Sequence, residues 1–82
     1  MTRYWYKACP RCKQGQLFIE LNCESNDLYL LCDECYWGFA NPDSCDDVTQ
    51  GWFGMFIGSK DPTLAGIAAR GWIRFALHVV EG

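Results

Sequence analysis

Cys9-Pro10-Arg11-Cys12, nineteen residues, then Cys32-Asp33-Glu34-Cys35: these two paired-cysteine segments decide how the chain folds. Two residues between thiols let one tight knuckle present both sulfurs to a single ion. A hairpin of about nineteen residues then brings the second knuckle opposite the first, completing a tetrahedron with bonds of about 2.3 Å. Working outward, each pair is entered from an apolar segment, Tyr4-Trp5-Tyr6 before the first and Leu28-Tyr29-Leu30-Leu31 before the second, so each is expected at a strand end. Gln16 to Leu21 is rich in strand formers, bounded by Gly15 and by a polar stretch from Asn22 to Asp27 that reads as a hairpin loop. Tyr36-Trp37-Gly38-Phe39-Ala40 reads as a further strand, stopped by Asn41-Pro42-Asp43.

A staple is what a chain of 82 residues needs. At this size an apolar core supplies only about 3–5 kcal/mol, and a metal or disulfides usually make up the difference. Half of the residues are apolar and thirteen are aromatic, which excludes a disordered chain. The segment Met1 to Lys7 is not followed by the apolar run of a secretory signal, and no stretch approaches the length of a membrane span. A reducing cytoplasm is therefore the expected compartment, where paired cysteines are metal ligands before they are disulfides. Zinc is the expected ion, with an iron site or iron–sulfur cluster as the alternative.

The two motifs resemble those of the zinc-ribbon superfamily, over roughly residues 5–40. That resemblance implies a structural Zn²⁺ on Cys9, Cys12, Cys32 and Cys35. A glycine often follows each knuckle in that superfamily, whereas Lys13 and Tyr36 stand there in this chain, a departure that counts more against a rubredoxin-like iron site than against zinc. Four thiolates close the coordination sphere, so the ion is expected to clamp the fold rather than act on a substrate.

Beyond residue 47 the expectation is a β/α portion packed on the ribbon portion, within a single domain of residues 1–82. Trp52 to Ile57 is a possible strand, interrupted by Gly54. Asp61-Pro62-Thr63 reads as a helix start, with Asp61 able to cap, and Leu64, Ile67 and Ala68 follow at helical spacing, so a short helix is expected near 62–70. Residues 72–80 fit a helix or a strand equally well. The expected fold class is therefore α+β.

No catalytic residues emerge. His78 is the single histidine and has no nucleophile near it in sequence; a packed residue beside Phe75 and Val79 is expected. Gly51, Gly54 and Gly58 form no phosphate-binding pattern. Cys23, in the hairpin loop, and Cys45 belong to neither pair and are expected as reduced thiols. The chain is not expected to be an enzyme.

Charge points to the kind of partner. The formal net charge is −3, yet residues 1–22 carry Arg3, Lys7, Arg11 and Lys13 against Glu20 alone, while residues 23–47 carry seven carboxylates and no Lys or Arg. Asp33, Glu34, Asp43, Asp46 and Asp47 are the candidate partner surface, suited to a basic protein and repelling a polyanion. The basic aromatic start, with Tyr4, Trp5 and Tyr6 among its cations, supports nucleic-acid binding as the alternative. More loosely, the ribbon followed by Thr63-Leu64, Ile67 and Gly71-Trp72 is similar to small bacterial immunity proteins of polymorphic and contact-dependent toxin systems. That likeness implies a neutralising partner, typically a basic toxin domain.

Overall fold

The structure, a computed structural model, describes residues 2–56, 58–75 and 77–81. Its frame is a run of antiparallel strands: β1 (Thr2–Ala8), β2 (Gln16–Asn22), β3 (Asp27–Cys32), β4 (Trp37–Phe39) and β5 (Trp52–Phe53), each paired with the next. The chain then returns to strands already laid down. β6 (Ser59–Lys60) pairs with the end of β2 at Leu21 and Asn22, and β7 (His78–Glu81) pairs with β1 from Thr2 to Trp5. Between them lies the single α-helix of the described residues, α1 (Leu64–Ala69).

Register explains the core. The cross-strand pairs Leu17 with Cys32, Ile19 with Leu30 and Leu21 with Leu28 line one face of the β2–β3 hairpin. Phe39 of β4 and Ile67 of α1, both fully buried, close over that face, with Cys9 and Cys45 in the same cluster. On the opposite face Phe18, Glu20, Tyr29 and Leu31 are buried as well. Burial on both faces is why Leu28-Tyr29-Leu30-Leu31 is an unbroken apolar run rather than an alternating one.

The expected α+β class is corrected: the molecule is mostly one antiparallel sheet of seven strands with one short helix. Among the described residues, the strands after residue 47 are short and find their hydrogen bonds on β4, β2 and β1. Two-residue strands carry no alternation to read. Of the expected strand at 52–57 only Trp52–Phe53 forms, since Gly54 turns to φ +99°; Ile57 lies outside the described residues. The segment left open at 72–80 divides into a 3₁₀ turn, Trp72–Arg74, and the strand β7, residue 76 lying outside the described residues.

The short helix is where it was expected, with a different cap. Thr63, extended at φ −82°, accepts from the Gly66 N–H, whereas Asp61 takes the Arg3 Nε–H at 3.2 Å. None of the described helices is long and apolar enough to cross a membrane.

Candidate metal centre

Each knuckle is a turn closed by its own backbone. In the first, the Lys13 N–H donates to the Cys9 carbonyl at 2.9 Å; in the second, the Tyr36 N–H donates to the Cys32 carbonyl at 3.2 Å. The residue that ends each turn is left-handed, Lys13 at φ +60° and Tyr36 at φ +59°. Glycine is the residue best suited to that conformation, so both side chains are held at a cost.

The knuckles meet because β2 and β3 are paired up to Leu17 and Cys32. A second link lies just beyond the ladder. The Asp33 N–H donates to the Gln16 carbonyl at 3.2 Å, and the Asp33 carboxylate accepts the Gln16 N–H at 2.9 Å. The sulfurs of Cys9, Cys12, Cys32 and Cys35 consequently all lie within 4.8 Å of one another. A tetrahedron of thiolates with metal–sulfur bonds of about 2.3 Å has edges of about 3.8 Å. The Cys12–Cys32 separation is 3.5 Å and the Cys9–Cys35 separation 3.8 Å, so the donor set fits an ion of that kind. These separations are far from the roughly 2.05 Å of a disulfide, and all six cysteines carry free thiols.

The sulfurs differ in surroundings. Backbone N–H groups of Gln14 and Gly15 hold the Cys12 thiol down, to about 6. Burial pushes Cys32 up to about 12 and raises Cys9. Even so, Cys32 Sγ accepts from the N–H groups of Glu34 and Cys35 at 3.4 Å. N–H···S contacts of this type stabilise a thiolate that is also bound to a cation.

Gly15 is a part of the centre that sequence reasoning treated only as a strand boundary. A Cβ there would lie 2.6 Å from Cys32 Sγ and 2.7 Å from the Asp33 carboxylate. Its carbonyl also accepts the Cys9 N–H at 2.8 Å. The requirement arises only where the chain passes under the second knuckle, so the sequence does not set it apart from a loop glycine.

The acidic residues lie outside this cluster. Among the described residues only the four cysteines form a group of three or more ligand-type side chains close enough to share an ion. Asp43 pairs with Arg74 at 3.3 Å, Asp46 pairs with Lys7, and Asp47 accepts from the N–H and hydroxyl of Thr49 at 3.0 and 2.6 Å. Asp33 and Glu34 are exposed on the second knuckle, Asp33 with its carboxylate on Gln16.

The basic segment is similarly engaged. Arg3 lies between Glu20 and Asp61 with its guanidinium over the Phe18 ring, and Arg11 lies over Trp37. His78 is exposed and stacks on Trp5 at 4.1 Å, rather than packing beside Phe75. Cys23 is exposed, whereas Cys45 is fully buried and donates to the Pro42 carbonyl at 3.0 Å. Comparison with protein-family models, with curated proteins and with solved structures gives no match to this chain, so the four-sulfur cluster stands on its own geometry as a centre able to hold a metal ion.

Proposed function

We propose that Cys9, Cys12, Cys32 and Cys35 hold a structural Zn²⁺, and that the chain is a non-catalytic binding module whose fold the ion secures. The observation that carries this reading is the set of four thiol sulfurs within 4.8 Å of one another. An all-thiolate tetrahedron has no open position for water or substrate, which is the arrangement of structural rather than catalytic zinc. The ion would supply a cross-link between two knuckles and nothing more.

A basic protein is the partner that the charge favours. Four thiolates and one Zn²⁺ add about two negative charges to a chain already at −3, so phosphate backbones are repelled and basic surfaces attracted. Arg3 and Lys7 are occupied by carboxylates of the same chain, which weakens the case for a nucleic-acid surface at the N-terminal strand. Inhibition of a basic toxin, as in the immunity proteins that the sequence loosely resembles, is the most specific form of this reading.

Metal content by mass spectrometry, on protein purified without added metal, is expected to give one zinc per chain. Less than half an equivalent, or iron in its place, contradicts the zinc. Capture of a basic protein should be lost when Asp33, Glu34, Asp46 and Asp47 are replaced together by Asn or Gln. Retention of single-stranded nucleic acid at moderate salt, abolished by replacing Arg3, Lys7 and Arg11, would overturn the choice of partner.

A further inference from the structure

Away from the metal centre, the structure contains a cavity of about 500 Å³ beside the far end of β3. It exists because β4 pairs with β3 only at Leu30 and Leu31, so the Asp27–Tyr29 edge has no β4 neighbour among the described residues. Two kinds of wall flank that edge. On one side Trp52, Phe56 and Tyr29 form a ring cluster, with centroids 5.0 to 6.1 Å apart. On the other is Trp72, which packs edge-on against Phe75 and, among the described residues, makes no ring contact with Trp52 or Phe56. The volume between them suffices for a molecule with flat apolar faces.

The rim supplies directional polar groups. Asn22 and Asp27 are direct cross-strand partners, so a carboxamide and a carboxylate project side by side from one face. The Asn22 side-chain Oδ1 already accepts the Glu24 N–H at 3.1 Å, which leaves the side-chain amide N–H groups for a ligand. Arg70 spans the cavity wall, donating to the carbonyls of Asn26 and Gly66, and so ties the end of α1 to the hairpin turn. One guanidinium and one carboxylate leave the lining close to neutral.

Flat faces between aromatic walls, and a polar edge meeting a carboxylate beside an amide donor, are the requirements of a nucleobase. A carboxylate accepts best from two adjacent N–H donors, and among the common bases guanine presents that pair, with a carbonyl beside it for an amide N–H. A quaternary ammonium ion, which aromatic walls also suit, is opposed by Arg70. From this geometry we infer that the cavity binds a guanine base, its faces between the Trp52–Phe56 wall and Trp72 and its N–H edge on Asp27. The base would come from a free nucleoside, because the net negative charge of the chain repels a phosphate backbone.

Titration calorimetry on the metal-loaded full chain tests this source, using guanosine, adenosine and short single strands with or without guanine. Guanosine is expected to bind at least tenfold more tightly than adenosine, and Asp27→Asn to remove that preference. Phe56→Ala, at an exposed ring, should weaken guanosine at least fivefold. Tighter binding of a guanine-containing strand than of guanosine would overturn the free nucleoside as the source. Metal content and far-ultraviolet circular dichroism equal to the parent's establish that both variants fold. Absence of guanosine and strand binding at millimolar concentration, equal affinity for adenosine, or binding of a simple sugar in preference would each overturn the inference.

Discussion

The residues that close the two knuckles show how local strain and a metal centre are joined. Lys13 and Tyr36 stand at φ near +60°, where a side chain costs roughly 1 kcal/mol or more relative to glycine. Lys13 is exposed and makes no described side-chain contact, so Lys13→Gly should stabilise the metal-loaded protein by about 0.5–1 kcal/mol in denaturant unfolding. A loss of stability would mean that the side chain contributes more than its backbone costs. Gly15 is the opposite case. Its missing Cβ is what lets Cys32 Sγ and Asp33 approach, and its carbonyl is held by the Cys9 N–H and its own N–H by Cys12 Sγ. Gly15→Ala should therefore weaken metal affinity by an order of magnitude or more, measured by competition with a chromophoric chelator, while Gly66→Ala on the exposed side of α1 leaves affinity unchanged. The ligands themselves were legible in the sequence because their spacing is set by bond geometry. Gly15 was not, because a glycine required for close approach looks like any loop glycine until the neighbouring strand is in place.

Among the elements, the tie between β1, β2 and the segment before α1 is electrostatic, and it is frustrated. Glu20 is buried beneath Arg3, and its Oε2 lies 3.6 Å from the guanidinium with no hydrogen-bond partner. Burial above all, and then the neighbouring Asp61 charge, push its carboxyl up to about 7, against the pull of Arg3. The folded state thus holds a proton that the unfolded chain releases near 4.5, so Glu20 supports folding below that value. Its contribution is lost as pH rises from about 4.5 to about 7. Glu20→Gln should accordingly match the parent near pH 5 and exceed it by about 1–3 kcal/mol near pH 8, by the usual conversion of a pKa shift into free energy. Taking the difference between the two proteins at each pH cancels the acid lability of the thiolates. A difference that does not change with pH would contradict the raised pKa. This arrangement also explains the misread helix start: Asp61 had the right residue type for a cap, but Arg3, fifty-eight residues earlier, claims its carboxylate. Long-range pairing of that kind leaves no local mark, and neither do two-residue strands such as β5 and β6. Strands long enough to be buried on one or both faces, β2 and β3, were visible from composition and turn residues alone.

For the whole molecule, the sheet order shows how far the influence of the metal extends. The centre holds the β1–β2 and β3–β4 connections at one end, and each described strand after β4 is hydrogen-bonded to β1, β2 or β4. The portion after residue 47 therefore has no sheet of its own to retain if the first three strands come apart. Its fully buried apolar side chain among the described residues is Ile67, in one cluster with Leu17, Ile19 and Leu30, and Trp72 and Leu77 pack against that same cluster. Structural zinc sites contribute on the order of 10–16 kcal/mol near pH 7, well above the roughly 3–5 kcal/mol that a core of this size supplies. Removing the ion with a strong chelator under reducing conditions should thus unfold residues 2–81 in one cooperative step. Far-ultraviolet circular dichroism, which reports the sheet, and fluorescence of Trp52 and Trp72 in a chain with Trp5 and Trp37 replaced by Phe, which reports the later segments, should change with the same midpoint in chelator. Re-addition of Zn²⁺ should restore both together. Were the tryptophan signal to persist after the sheet signal is lost, the later segments would fold independently of the metal, and the strand pairings of β6 and β7 would be too weak to couple them. The ladder argues otherwise, because β7 covers the outer edge of β1 along four consecutive residue pairs, and a strand so placed cannot outlast the one it covers.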